Sequence, residues 1–173
     1  PIRIVRVDDG NTLYQPATGN DLTDSMQSFL AAFLDSLTEV DGFLLKSRSP
    51  SCGVNDVKIY AGFEASSRAS RGSGFFGGAI LEKFAGLPVE DEGRMRNFTI
   101  REHFLIRIFT FARFREVKKS GSMRNLVNFH SIQKLLLLGC NQAQMRILGK
   151  IVANHENEDF ATLVLRYEEH LKQ

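Results

Sequence analysis

The chain has no tryptophan and only two cysteines, Cys52 and Cys140, in 173 residues. Two cysteines in a chain of this length do not make a disulfide framework, which points to a reducing compartment and a cytoplasmic location. No apolar run approaches the roughly 18 residues that a membrane helix needs, and no signal peptide is in view, so no membrane partner is expected. A large excess of charge of either sign is also lacking, with 22 Lys and Arg against 20 Asp and Glu. An initiator methionine is missing. The chain starts at Pro1 and enters at once on the strand-like run Ile2-Arg3-Ile4-Val5-Arg6-Val7, so a fragment whose natural N-terminus lies further upstream is expected.

What is present is ordinary for a globular protein. Hydrophobic residues make up 43% and charged residues 24%, with 14 phenylalanines as apolar filler. That is enough for a core and for one or two domains. Charge divides unevenly. Residues 1–97 carry 10 basic and 13 acidic side chains, and residues 98–173 carry 12 and 7 together with all four histidines. The second half is thus net +5, a weak nucleic-acid signal. The contrast suggests a first domain over 1–93 and a second over 94–173.

The pattern predicts an α/β N-terminal part, an incomplete parallel sheet with flanking helices, followed by an all-α helical bundle. Residues 2–7 alternate apolar and basic, as in a strand with one wet face, and Asp8-Asp9-Gly10-Asn11 signals a turn. Asn20 or Asp21 caps a helix whose face carries Leu22, Met26, Phe29, Leu30, Phe33 and Leu37, stopped by Asp41-Gly42. Gly42-Phe43-Leu44-Leu45 reads as a buried strand, and Val57–Tyr60 as another. Glu64 to Gly74 is small and polar and reads as a mobile loop. A short helix over 77–84 follows, and Glu90-Asp91-Glu92-Gly93-Arg94 reads as a linker. Beyond it the period is helical throughout. Thr99 with Glu102 and Asn141 with Gln144 form capping boxes, and Phe160, Leu163, Val164, Tyr167 and Leu171 make one apolar stripe. Four helices with short connections imply a compact bundle.

The stretch richest in chemistry is Lys46-Ser47-Arg48-Ser49-Pro50-Ser51-Cys52-Gly53. Pro50 fixes its own φ and holds Ser49 extended. Ser49 and Ser51 can shape a turn, and Gly53 frees the backbone after the sulfur. Cys52 reads either as a buried structural thiol, as a redox or nucleophilic thiolate lowered by Lys46 and Arg48, or as a metal ligand. One cysteine cannot hold zinc or an iron–sulfur cluster by itself. Cys140, beside Leu135 to Leu138, is assigned to packing. Gly72 and Gly74 look like a phosphate nest, but a plain loop is the better reading of a lone G-x-G.

The octapeptide Lys46–Gly53 resembles the signature of the thiouracil and thiouridine desulfidase family. The resemblance runs over residues 1 to about 93 and includes Thr18-Gly19-Asn20-Asp21 and Gly72-Ser73-Gly74. Residues 98–173 resemble the YbgA-type helical domain often fused behind it, through Arg101-Glu102-His103-Phe104 and Val127-Asn128-Phe129-His130-Ser131-Ile132-Gln133-Lys134-Leu135-Leu136. The resemblance implies an iron–sulfur enzyme that removes sulfur from thiolated uracil or its nucleosides. Its 4Fe–4S cluster is held by three cysteines and leaves one iron open to the substrate sulfur. Cys52 corresponds to one cluster ligand, and the resemblance places the other two upstream of Pro1. Ser49 and Ser51, flanking that ligand, become candidate catalytic groups, and Lys46 a candidate pocket cation.

In the helical part, His103 with Arg107 and His130 with Lys134 are pairs at i, i+4. If their helices pack together the four side chains form an anion site for a phosphate or RNA. Otherwise they are a surface charge ladder. His155 and His170 read as exposed helix-end residues. Two competing functions follow. One is a nucleic-acid or partner-binding protein acting through the basic helices, with the α/β part as a non-catalytic scaffold. The other is an enzyme using Cys52 as a lone thiolate, for which the first domain supplies no histidine base.

Overall fold

The computed structural model describes residues 1–8, 10–64, 66–154 and 156–173. It divides the chain into two compact units, Pro1–Leu105 and Ile106–Gln173.

The first unit is built on a five-stranded sheet. Strand β1 (Arg3–Val7) pairs antiparallel with β2 (Gly10–Gln15), in register from Arg3 opposite Tyr14 to Val7 opposite Gly10. Gly10 sits at φ 141°, a backbone region closed to side chains. The turn expected around it includes Asp9, which lies outside the described residues. Strand β3 (Asn20–Asp21) extends this edge. On the other side β1 pairs in parallel with Val57–Tyr60 (β4), and Ala69–Gly72 (β5) closes the sheet antiparallel to it. The sheet is therefore mixed rather than wholly parallel. Hairpin connections as short as these permit only antiparallel neighbours.

Central placement of β1 also changes its burial. Ile4 and Val5 are both buried, so the strand has no wet face at its middle. Ile4 joins Leu13, Val57 and Ile59 in a core flanked by Met26 and Phe75. Met26 comes from helix α1 (Thr23–Ser36), whose N-cap is Leu22 rather than the expected Asn20 or Asp21, although Asp21 accepts the Thr23 amide at 2.8 Å from just outside the helix. The helix ends at Ser36, well before Asp41-Gly42. Its buried residues are Leu30 and Leu34, while Phe29 and Phe33 are exposed. The expected face is thus rotated. The mobile-loop reading fails over 69–72, where β-pairing supplies the order that local composition does not; Ala65 of that stretch is outside the described residues.

A second, two-stranded sheet carries the cysteine loop. Phe43–Leu45 (β6) pairs in parallel with Val89–Asp91 (β7), with helix α2 (Phe75–Lys83) between them in sequence. Leu44 is 55% exposed, so the run is not the buried strand its composition suggests. Phe43 and Leu45 share one, half-buried face, and Leu44 stands on the opposite, exposed one, as alternate side chains of a strand do. The expected linker over 90–94 is likewise corrected. Val89–Asp91 is strand, and Arg94–Arg96 forms a 3-10 turn. Each carboxylate of the acidic run has a donor: Glu90 takes the Arg94 guanidinium at 2.7 Å, and Asp91 takes the Arg94 amide at 2.9 Å while remaining buried.

Helices α3 (Phe98–Ser120), α4 (Met123–Cys140), α5 (Gln142–Ala153) and α6 (Phe160–Leu171) make the C-terminal region all-helical. Asn97, not Thr99, caps α3 by accepting the Ile100 amide at 3.2 Å. A side chain two residues further in is already inside the first turn and cannot reach that donor. Gly121, at φ 59°, ends the helix. Ser122, Asn141 and Asp159 cap the other three. The second unit's core gathers Phe114, Leu126, Phe129, Leu148, Leu163 and Tyr167, with Phe114 and Tyr167 stacked at 5.3 Å. Cys140 is exposed, contrary to its assignment to packing. Leu135 and Leu138 are exposed beside it, because consecutive leucines on a helix point to different faces.

Candidate active site

The cysteine loop leaves the C-terminal end of β6, the end where parallel sheets place their ligands. Its shape comes from three local holds. The Ser49 hydroxyl accepts the Ser51 amide at 3.3 Å and the Cys52 amide at 3.2 Å, and the Gly53 amide bonds the Ser49 carbonyl at 2.9 Å. Ser49 therefore closes the turn, and its own proton remains free to be donated. Arg48 sits at φ 56°, a left-handed conformation unusual for a side-chain-bearing residue. Asp56 secures it there, accepting the Arg48 amide at 3.1 Å and Nε at 3.3 Å.

The far limb of the loop is docked on the N-terminus of α2. The amides of Gly74, Phe75 and Phe76 donate to the carbonyls of Gly53, Pro50 and Ser51 at 2.8, 3.1 and 2.8 Å, and Gly77 also donates to Ser51. A helix leaves its first amides without partners, and here the loop carbonyls take them. The Gly72-Ser73-Gly74 stretch is thus committed to protein rather than forming a phosphate nest. Backbone approaches this close require glycine. A Cβ on Gly77 would overlap the Gly53 carbonyl oxygen, and one on Gly74 would overlap the Ser51 carbonyl.

The near limb is held by a residue that the sequence reading assigned to a linker. Glu92 bonds Lys46 Nζ, accepts the Ser47 amide at 2.6 Å and takes the Ser47 hydroxyl at 3.1 Å. Lys46 and the Ser47 amide hold its carboxyl well below the usual range, at about 2. The cations expected to activate Cys52 are therefore spoken for, Lys46 by Glu92 and Arg48 by Asp56. Cys52 itself is half-buried. Sequence reasoning missed Glu92 and Asp56. Glu92 carried a usable signal, since Pro88-Val89, shortly upstream of it, can open a strand.

Beside the loop lies a cavity of about 560 Å³ lined by Arg3, Arg48, Pro50, Asp56, Tyr60 and Arg71, among others. The Arg3 guanidinium lies 5.1 Å over the Tyr60 ring. Its volume falls within the range of small-molecule sites, roughly 300–1,000 Å³.

The four residues considered for an anion site have separate circumstances. His130 is buried, with Nδ1 at 3.0 Å from the Tyr167 hydroxyl. Burial, with Lys134 nearby, lowers its pKa, and burial raises that of Tyr167. Lys134 is exposed on α4. Arg107 is half-buried and donates to the Lys172 carbonyl at 3.5 Å. His103 is exposed within the first unit's span. His170 is half-buried against Gln144 rather than exposed, and His155 lies outside the described residues.

Among the described residues no group of three or more His, Cys, Asp or Glu is arranged to hold a metal. Cys52 is a single sulfur donor, and one thiolate does not satisfy a 4Fe–4S cluster. The residues described do not by themselves fit that cofactor. No described helix is long and apolar enough to cross a membrane.

Comparison with known families bears on the loop directly. The pattern of the 2-thiouracil desulfurase family matches residues 1–92, and that of a family of unknown function, DUF1722, matches residues 134–173. No curated protein and no solved structure matches the chain. The first match takes in both strands of the two-stranded sheet, the cysteine loop and its docking helix, more than half of the sequence, and the chain belongs to the 2-thiouracil desulfurase family.

Proposed function

We propose that the chain desulfurates a thiolated uracil, as the free base or a nucleoside, replacing the exocyclic thiocarbonyl sulfur by oxygen. Water supplies the oxygen, and the sulfur leaves as hydrogen sulfide, so the reaction needs no net oxidant or reductant. The observation that carries this reading is the family match over residues 1–92, within which Cys52 is presented by a loop held at both limbs.

The chain's own groups suit parts of this task. The sulfur of Cys52 is a soft donor and suits an iron centre better than an oxygen ligand would. The Ser49 proton and the Ser51 hydroxyl flank it and can hydrogen-bond a pyrimidine edge. The 4Fe–4S cofactor implied by the resemblance needs thiolates beyond those described, so no step is assigned to it.

The test is direct. The chain is purified without oxygen and given iron and sulfide. Loss of the thiocarbonyl absorbance of 2-thiouracil and 4-thiouridine is followed with sulfide release, iron content and the visible spectrum. Sulfide release that disappears in C52S supports the reading. A preparation that binds iron yet releases no sulfide from either compound overturns it.

A further inference from the structure

Glu92 is distant in sequence from the cysteine loop. Its backbone amide continues the β6–β7 pairing by donating to the Leu45 carbonyl at 3.2 Å. From that fixed position its side chain crosses to the next residues of the opposite strand, where it meets the Ser47 amide and hydroxyl and the Lys46 ammonium. Gly93 follows it, and a Cβ there would stand 3.2 Å from the Ser47 hydroxyl and 3.0 Å from Asp91 Oδ1. The strand end therefore closes tightly on Ser47 just before the loop departs.

The three contacts are not equivalent. Lys46 is 70% exposed, and an ion pair in that setting contributes little. The Ser47 amide is a different matter. It is a main-chain donor just past the last paired residue of β6, in a half-buried residue, and such donors need a partner. A carboxylate accepting a main-chain amide is among the stronger hydrogen bonds.

We propose that Glu92 is a positioning residue: by clasping the Ser47 amide it fixes the near limb of the cysteine loop, as the α2 N-terminus fixes the far limb, and so sets where Cys52 stands. The clasp itself is independent of any reaction. Its catalytic consequence rests on the desulfurase reading. Glu92 touches no reacting atom and acts only through the loop.

Native-state alkylation of Cys52 by iodoacetamide reads the clasp without substrate or cofactor. The exposed Cys140 is first replaced by serine, leaving Cys52 as the one thiol. In that background E92A is expected to be alkylated about tenfold faster, the scale set by losing one charged hydrogen bond, with its urea midpoint little changed. E92Q retains an acceptor for the Ser47 amide and is expected to stay within about threefold of the parent, as is K46A, since only the exposed ion pair is lost. If E92A does not fold, E92Q and K46A still decide the matter. Either one matching an unfolded chain's alkylation rate would show the ion pair to be the essential contact and overturn the proposal. An E92A rate within twofold of the parent also overturns it, as does acceleration that merely follows loss of global stability.

Turnover provides the second arm. E92A is expected to lower kcat for thiouracil with little change in KM, and E92Q to recover most of it. A parent protein without sulfide release, combined with fast alkylation of E92A, would remove the desulfurase reading and leave the clasp standing. Normal kcat in a rapidly alkylated E92A would remove the catalytic consequence alone.

Discussion

Replacing Gly77 with alanine tests how the cysteine loop and α2 depend on each other. The new Cβ would overlap the Gly53 carbonyl oxygen and stand 2.9 Å from that of Cys52. Both obstacles are main chain, so no side chain can swing aside. The helix must withdraw from the loop, weakening the bonds from the amides of Gly74, Phe75, Phe76 and Gly77. Each contributes about 1 kcal/mol net. Against this, alanine is favoured over glycine in a helix by up to about 1 kcal/mol. The balance is a loss of about 2–3 kcal/mol in the first unit. Gly78 provides the control in the same helix. Its Cβ would meet only Ser73 Cβ at 3.6 Å, so G78A is expected to be neutral or more stable by up to about 1 kcal/mol. Urea denaturation followed by circular dichroism measures both, and Cys52 alkylation reports the loop. If G77A proves as stable as G78A, with Cys52 equally protected, the docking of loop on helix does not govern the geometry of the site.

Other outcomes can be stated more briefly. S49A removes the acceptor shared by the Ser51 and Cys52 amides and should destabilise the loop by about 1 kcal/mol, seen as faster alkylation of Cys52. N141A removes the cap of α5 and should cost about 1 kcal/mol by thermal melting. The buried His130 has a pKa lowered chiefly by desolvation. Its folded form therefore binds a proton less readily than its unfolded form, so its contribution is complete above pH about 6.5 and is lost as pH falls below that. Stability between pH 5 and 6.5 should fall with acidity in the parent and flatten in H130Q; an unchanged slope would show another group responsible. Y167F leaves His130 Nδ1 without its 3.0 Å partner and should cost about 1–3 kcal/mol in the same assay.

How far the chain could be read in advance depended on the range of the interactions. The cap at Asn141 was legible because a cap bonds residues two or three positions away. The stripe from Phe160 to Leu171 was legible because one face of a helix repeats in the sequence, and Leu163, Val164 and Tyr167 are buried as the pattern requires. The reading failed where pairing is remote. Ala69–Gly72 has loop composition and becomes a strand only because Val57–Tyr60 lies beside it. The acidic run 90–92 looks like a solvated linker until β6 stands next to it.

The amino-acid order alone determined that an α/β part precedes a helical one, and that Cys52 lies in a short turn shaped by Ser49, Pro50 and Gly53. Those properties follow from local backbone preference and periodic burial. Only the tertiary structure decided what holds that turn. The amides at the start of α2 come from more than 20 residues away, and the Glu92 carboxylate from 45. Distant partners of this kind leave no periodic trace, because each is a single side chain or carbonyl brought into range by the packing of whole strands.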